Sequence, residues 1–575
     1  MRFKNYALHA LLTIAAVAIT ASGQVTPEVA DGGSGNAVDW RGNDTCAVCH
    51  QESKYTHRYP EIEIGSSDID LTVHKSFACV DCHYTGFDDY PHNKIVHRSS
   101  CADCHEDQHA EYEISVHAEA RARGDLDAPS CTDCHGFHDI QSPHEQLSGK
   151  AAVDMCSQCH ADESLTSKFK LKSTVLDGFS TSYHGQMYGL GFDGDDYATC
   201  VSCHSNHAIL GKDNPQSTIA AVNIVETCKE CHTDANESFA GYLTHWTPGD
   251  GESKILDGTF HFMEILIWSV MIVFGAHSIL WFLHSTMTMR LPGRKDKKPQ
   301  IDGDPQVTVT RFNPVARVMH IILIICFMTL AATGLPVKFS EAGFSQWIAQ
   351  NLVGFSTAAL IHRIAGVTLL TLFIVHVFHV MYQVVMQKKK GFFWGPDSLV
   401  PNHIDVIQFF QNIAYFLFLR KTPPQFDRWT YWEKFDYFAV FWGMAIIGLS
   451  GLALMLPLVV TQIVPGWMLN FALIVHSEEA LLATAFIFVV HFVNANLRPD
   501  VFPLDDVMFT GQMTLERFAE ERPAEYQRLK DEGRLEERIV KTLPRWKVML
   551  VRLVAFSLLL VGLTLLVLII FGVTS

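Results

Sequence analysis

Seven copies of Cys-x-x-Cys-His run through the first half of the chain, and they hold fourteen of its fifteen cysteines. They are Cys46-Cys49-His50, Cys79-Cys82-His83, Cys101-Cys104-His105, Cys131-Cys134-His135, Cys156-Cys159-His160, Cys200-Cys203-His204 and Cys228-Cys231-His232. Two thiols separated by two residues can add to the two vinyl groups of one porphyrin. The imidazole that follows then reaches the iron, so the motif signals c-type haem attachment. A disulfide framework would not require a histidine after every second cysteine. A zinc ribbon uses two Cys-x-x-Cys units per ion and would leave one of seven over. The expectation is seven covalent haems c, with the motif histidines as proximal ligands. The last thiol, Cys326, falls in an apolar stretch and reads as a small buried hydrophobe.

Whether those irons react or only relay electrons depends on the sixth ligand, because an open axial position binds small molecules. An internal repeat points to the ligands. Ser115-Val116-His117 through His135 to His138 recurs as Ser182-Tyr183-His184 through His204 to His207. A shorter relative carries His74 before its motif and His92 after it, and a truncated last unit ends at His245. His74, His92, His117, His138, His184, His207 and His245 are seven distal candidates for seven irons. His57, His97, His109 and His144 are spares, of which His97 can stand in for His92. Spacing leaves open which distal histidine serves which motif. Supply matches demand, so bis-histidine haems and electron transfer are expected in this half.

A second set of histidines lies in apolar sequence, where ionisable groups are costly and usually functional. His362 and His376 are 14 residues apart, and His476 and His491 are 15 apart. At about 100° per residue each pair lies near one helix face, roughly four turns apart. Two such helices facing each other can hold two stacked haems b. His320 can replace His376 opposite His491, so one of the five is surplus. His261, His277, His284 and His379 read as packing, interfacial or quinone-site residues. Glu478 and Glu479, just after His476, are candidate proton acceptors in quinol oxidation, or else partners for Arg363.

These residues need two kinds of scaffold. Residues 24–259 carry 15 Lys and Arg against 38 Asp and Glu, a balance of −23 in a chain of −17. So acidic a segment does not suit nucleic acid. Arg2 and Lys4, an apolar run over 7–21 and small residues at 21–23 read as a signal peptide, 1–23. Seven haems in the segment 24–258 would themselves be the packing material, joined by short helices and loops. Beyond it, apolar stretches near 260–283, 315–335, 359–386, 435–456, 467–493 and 548–571 are each long enough to cross a bilayer. The expected fold is mainly α: a loop-rich heptahaem domain, then an all-α bundle of six spans. Spans one to five occupy 259–494, a cytoplasmic segment 495–545, and the sixth span 546–575. Basic clusters at Arg290, Arg294, Lys295, Lys297 and Lys298, at Lys388, Lys389 and Lys390, and at Arg545, Lys547 and Arg552 fall on one side. They put the haem domain on the other, in the periplasm. Residues 513–543, rich in Glu and Arg, read as an amphipathic helix with a solvated face.

The membrane half resembles the dihaem cytochrome b subunits of formate dehydrogenases and nickel-iron hydrogenases. It is closer still to the fused b/c quinone-linked cytochromes of the inner membrane in metal-reducing bacteria. The stretches that carry the likeness lie between about 310 and 530. They are Arg317-x-x-His320 with Thr333-Gly334-Leu335-Pro336, His362-Arg363-Ile364-Ala365-Gly366, Tyr431 to Tyr437, His476 to Ala483, and Phe502-Pro503-Leu504-Asp505. The formate dehydrogenase pattern implies that His320 pairs with His491 and His362 with His476. The resemblance also implies two haems b, a quinone pool as partner and a periplasmic cytochrome or other redox protein as acceptor. The leading expectation is therefore a quinol oxidoreductase of the bacterial inner membrane that oxidises a menaquinol-type substrate and passes the electrons through the haems b to the haems c. The alternatives are reverse flow into quinone and a periplasmic reductase with one open iron.

Overall fold

The computed structural model describes Cys46, His50 and residues 72–85, 97–142, 149–192, 197–290, 301, 304, 306–388, 391–497, 501–502 and 504–574. The expected signal peptide, Cys49, His57, His92, His144, Arg294, Lys295, Lys297, Lys298, Lys389, Lys390 and Pro503 lie outside the described residues. For His97 and Arg290 the backbone alone is described. The chain forms two compact units, one reaching Cys104 and including Gly136–Ile140, the other His105–His135 with Gln141–Ser575.

In the first unit a helical turn over Cys79–Cys82 leads into the strand β1, His83–Thr85, which pairs antiparallel with β2, His97–Arg98. A 3₁₀ turn over Cys101–Asp103 follows. The motif turns are made locally, in both units, by the residue just before the second cysteine. Asp81 accepts the Ala78 N–H at 2.7 Å, Asp103 that of Ser100 at 3.0 Å, Asp133 that of Ser130 at 2.7 Å, and the Ser202 hydroxyl that of Thr199 at 3.0 Å. Each closes one helical turn over its own Cys-x-x-Cys, as the third residue of a capping box does. The two thiols are thereby brought side by side.

The part of the second unit that precedes the long apolar helices consists of short helices: Glu106–Glu113, Val116–Ala122, Gly149–His160, Glu163–Phe169, Val175–Thr181, Tyr183–Gly189 and Ile224–Lys229 among them. The repeat has a capping origin. Ser115 accepts the Ala118 N–H and Ser182 the Gly185 N–H, both at 3.1 Å, so His117 and His184 occupy the same position one residue into a helix. The apolar core here is built of small residues such as Ala118, Ala120, Ala152 and Val153.

Among the described residues six helices are long and apolar enough to span a bilayer. They are Lys254–Arg290, Pro314–Lys338, Phe355–Val385, Tyr431–Met455, Trp467–Phe486 continued by π-helical turns to Leu497, and Arg545–Thr574. Their starts are chemically marked. Asn313 accepts the Ala316 N–H at 2.8 Å ahead of Pro314, whose missing N–H costs nothing in a first turn. Thr430 and Glu433 form a reciprocal capping box, with the Thr430 N–H donating to Glu433 at 2.9 Å. The fifth span is the centre of the bundle and packs on the first, second, fourth and sixth. Phe488 is fully buried among Met328, Ala331, Leu335, Leu565 and Ile569, which ties the second, fifth and sixth spans together. A further helix, His403–Phe416, lies between the third and fourth spans and packs on the first.

Residues 513–543 do not form the single solvated helix expected of them. Pro523, with no N–H to give, divides them into Leu515–Glu521 and Pro523–Asp531. The strand β3, Thr308–Thr310, pairs with β4, Gln512–Thr514, and Leu515, Phe518, Ala519, Tyr526 and Leu529 close a core with Val309 and Val507. The charges are buried with it. Glu525, 1% exposed, accepts from Arg428 at 3.1 Å, and Arg522 donates to Glu433 of the fourth span at 3.0 Å.

Candidate functional site

Among the described residues no three His, Cys, Asp or Glu side chains gather as a metal cluster. The histidines gather in twos. In the first unit His83 and His138 have ring centres 6.2 Å apart. In the second unit His117 and His160 stand at 6.2 Å, His135 and His207 at 6.1 Å, His184 and His232 at 6.2 Å, and His204 and His245 at 6.2 Å. Every pair joins one motif histidine to one distal candidate. Two imidazoles that grip one metal from opposite sides, through nitrogen–metal bonds of about 2 Å, leave their ring centres about 6 Å apart. The five spacings fit that arrangement. Of the remaining candidates, His50, His74 and His105 are each engaged by neighbours. His109 faces solvent beside Glu113 at 3.5 Å.

The chemistry of the rings fits as well. Burial pushes His117, His160, His184 and His245 below the ordinary imidazole range, and burial with His245 and His160 nearby takes His204 down to about 4. A neutral imidazole is the form that binds a metal. Two distal rings are also fixed from behind: His245 Nδ1 lies 3.1 Å from the Val175 carbonyl, and His207 Nδ1 3.3 Å from Glu111. Such contacts set ring orientation and tautomer. All described cysteines are free thiols, which removes the disulfide reading for them. Apolar side chains that flank the histidines in sequence, Val116, Phe137 and Tyr183, are exposed, as surfaces meant to be covered by a flat apolar group would be.

Within each unit, successive motifs are neighbours in space. In the first unit Cys79 hydrogen-bonds with Cys46, and Cys82 lies within electrostatic reach of Cys101 and Cys104. In the second, Cys134 lies near Cys156 and Cys159, Cys156 hydrogen-bonds with Cys200, and Cys203 lies near Cys228 and Cys231.

Within the bundle, His362 on the third span and His476 on the fifth have ring centres 6.4 Å apart. Their tautomers follow from the hydroxyls behind them. Thr333 Oγ1 donates to the Thr329 carbonyl at 2.8 Å, so His362 Nδ1–H donates to Thr333 Oγ1, also at 2.8 Å. Ser450 Oγ donates to the Ile446 carbonyl at 2.7 Å, so His476 Nδ1–H donates to the Ile447 carbonyl at 3.1 Å and to Ser450 at 3.3 Å. Both rings thereby turn an unprotonated Nε2 to the space between them. A glycine follows each hydroxyl residue. A Cβ on Gly334 would come within 3.2 Å of His362, and one on Gly451 within 2.8 Å of His476. Two helices thus offer the same device, a hydroxyl to hold the ring and a bare backbone to make room.

Residues 311–502 match the family model of prokaryotic cytochrome b561. That stretch is a membrane cytochrome b domain, and it contains all five intramembrane histidines expected as ligands. No curated protein matches the chain. In the cytochrome b domain His491 lies in a π-helical turn of the fifth span, marked by the Phe492 N–H reaching the Ile487 carbonyl. Such turns recur at functional sites. Its Nδ1 lies 3.0 Å from Asp436, a carboxylate that holds a ring as ligand-orienting carboxylates do. His320 is within electrostatic reach of His491. His376 instead directs Nε2 to the Tyr437 hydroxyl at 2.8 Å.

Glu478 is paired with Lys338 rather than Arg363. Glu479 is buried, 3.6 Å from where a Cβ on Gly443 would stand. His277 is buried, with Nε2 2.5 Å from Tyr431 Oη, and His284 sits among Tyr415, Phe416 and Phe418. His261 pairs with Glu264 at 3.1 Å. Sequence reasoning did not assign roles to Thr333, Ser450 or Asp436. The first two were legible as Thr-Gly and Ser-Gly steps in apolar helices, a hydroxyl and a gap where neither aids helix stability.

The part of the second unit that precedes the first span meets the membrane helices directly. Tyr183, next to His184, packs on Phe355 at the start of the third span with ring centres 5.6 Å apart. Gln346 and Gln350 donate to the Gly189 and Leu190 carbonyls at 2.9 and 3.0 Å. Asn470, six residues before His476, accepts the Leu243 N–H at 3.0 Å and donates to its carbonyl at 2.9 Å.

Proposed function

We propose that this chain oxidises a quinol, of the menaquinol class, in the inner membrane and delivers the electrons through its exported histidine pairs to a periplasmic redox protein. The matched cytochrome b stretch and the uniform pairing of histidines, from His83 with His138 to His362 with His476, support this reading. Haem bound at such pairs supplies one-electron transfer. In this reading His362 with His476 holds the outer haem b, and His320 with His491 the inner one. His376, whose Nε2 is occupied by Tyr437, is the surplus histidine. The seven motifs hold haems c, with His138, His117, His207, His184 and His245 opposite His83, His160, His135, His232 and His204. His74 and His92 are left for His50 and His105.

The residues of the chain do the positioning. Thr333, Ser450 and Asp436 keep a proton on Nδ1 of their histidines and so leave Nε2 for the iron. Tyr183 and Asn470 hold the exported helices on the ends of the third and fifth spans. Of the two carboxylates proposed as proton acceptors, Glu478 is neutralised by Lys338, which leaves Glu479 Oε1 as the better placed to take a proton. The paired state of the motif histidines speaks against an open catalytic iron at those five positions.

The test is a redox titration of the full-length protein, followed by addition of menadiol. The expected result is seven c-type and two b-type low-spin signals, with the b signals reduced by the quinol. A protein with the full haem content that menadiol leaves oxidised would overturn the quinol reading.

A further inference from the structure

The third span is peripheral to the bundle, with only Ala365 and Leu369 buried along it, and yet its inner half carries a polar strip. His379 is exposed, and its Nε2 lies 2.7 Å from Nε2 of Gln383, one turn on. His376 stands one turn before, bonded through Nε2 to Tyr437 of the fourth span. His379 precedes Lys388 by nine residues, about 13 Å along the axis. Its neighbours Phe378, Met381 and Tyr382 are exposed and apolar, as a lipid-facing surface should be. A polar pair on that surface loses hydration with nothing to repay it except each other.

Resting on the quinol reading above, we infer that His379 and Gln383 are a docking site for a quinone headgroup entering sideways from the inner leaflet. The class of ligand follows from the chemistry. The strip offers hydrogen-bond donors and acceptors side by side on a lipid-facing surface, which suits a ring bearing two oxygens. The apolar flank of Phe378 and Met381 suits an isoprenoid tail lying in the lipid. The headgroup oxygens replace the bond that His379 and Gln383 make to each other. Behind the strip, His376 and Tyr437 connect it to Asp436, the neighbour of Tyr437 that holds His491. The site is therefore separate from Glu478 and Glu479, which follow His476 of the other intramembrane pair.

The full-length protein in nanodiscs tests this with two probes, an azido-naphthoquinone photolabel and menadiol. The label is expected on the peptide containing residues 376–383. The double variant His379→Leu, Gln383→Leu should lose that label and raise KM for menadiol about tenfold, as the loss of one or two hydrogen bonds does. Its haem b spectrum and kcat should be unchanged, because both side chains lie on the outside of the bundle. Labelling elsewhere with KM unaltered overturns the site while the quinol reading stands, and would leave the strip to a lipid or a partner helix. Failure of the wild-type protein to be reduced by menadiol overturns the quinol reading instead.

Discussion

His204 and His245 face each other with ring centres 6.2 Å apart, although 40 residues of chain separate them. The first belongs to a motif and the second to the loop that leads into the membrane. His245 is fixed independently of any metal, since Nδ1 meets the Val175 carbonyl and Lys172 clasps its own carbonyl together with Asp250. A pair held open in this way is prepared for what fills it.

Replacing a distal ligand should open one iron and leave the thioether links intact. For His207→Ala, the reduced protein is expected to bind one equivalent of carbon monoxide, with one high-spin signal by electron paramagnetic resonance. The wild-type protein should bind none. A variant that retains only low-spin signals would break the assignment of His207 to His135.

Crowding the glycine step should remove one membrane haem. In Gly451→Val the new Cβ would start 2.8 Å from His476 and force the ring away. The b-type absorbance should fall by about half, with c-type absorbance unchanged, because a misplaced ligand forfeits most of its affinity. The same substitution at Gly334 should act more weakly, since its contact is 3.2 Å.

Neutralising the carboxylate behind His491 should change potential rather than occupancy. In Asp436→Asn the imidazole loses a negative partner and becomes a poorer donor, which favours the reduced iron. The inner b-type signal should titrate at a higher potential. A tenfold change in relative affinity for the two oxidation states corresponds to about 59 mV for one electron. An unmoved midpoint would separate Asp436 from that signal.

Breaking the buried ionic cluster should loosen the β3/β4 module. Removal of Glu525, which faces Arg428, Arg311 and Arg538, leaves buried guanidinium groups uncompensated and should cost about 3–5 kcal/mol. Limited proteolysis should then cleave Glu525→Ala within 513–543 well before the wild-type protein.

What could be read from residue order divides along a physical line. The motifs, the repeat and the spans are set by covalent spacing and local burial, and their positions need no knowledge of the fold. Thus His117 and His184 were legible because a serine cap fixes each relative to its own helix. Their partners were not: His160 and His232 are brought in from other elements, and spacing cannot express that. Spacing left His320 and His376 open, and the Tyr437 hydroxyl that reaches His376 from another span is a contact that spacing cannot express. The charged stretch 513–543 misled because charge content reports solvation only where the charges lack partners, and here Glu525 and Arg522 find them inside.

Asn470 grips both the N–H and the carbonyl of Leu243, two anchor points on one residue; Asn470 stands 6 residues before His476, and Leu243 stands 2 before His245. A joint bonded twice resists twisting as well as pulling. On the proposed function, charge crossing between the membrane histidines and those ahead of them then needs no domain swing, and its speed should be indifferent to solvent viscosity. The same rigidity means that a small lengthening of the loop after His245 would leave the crossing intact, whereas one inserted between Leu243 and His245 would not.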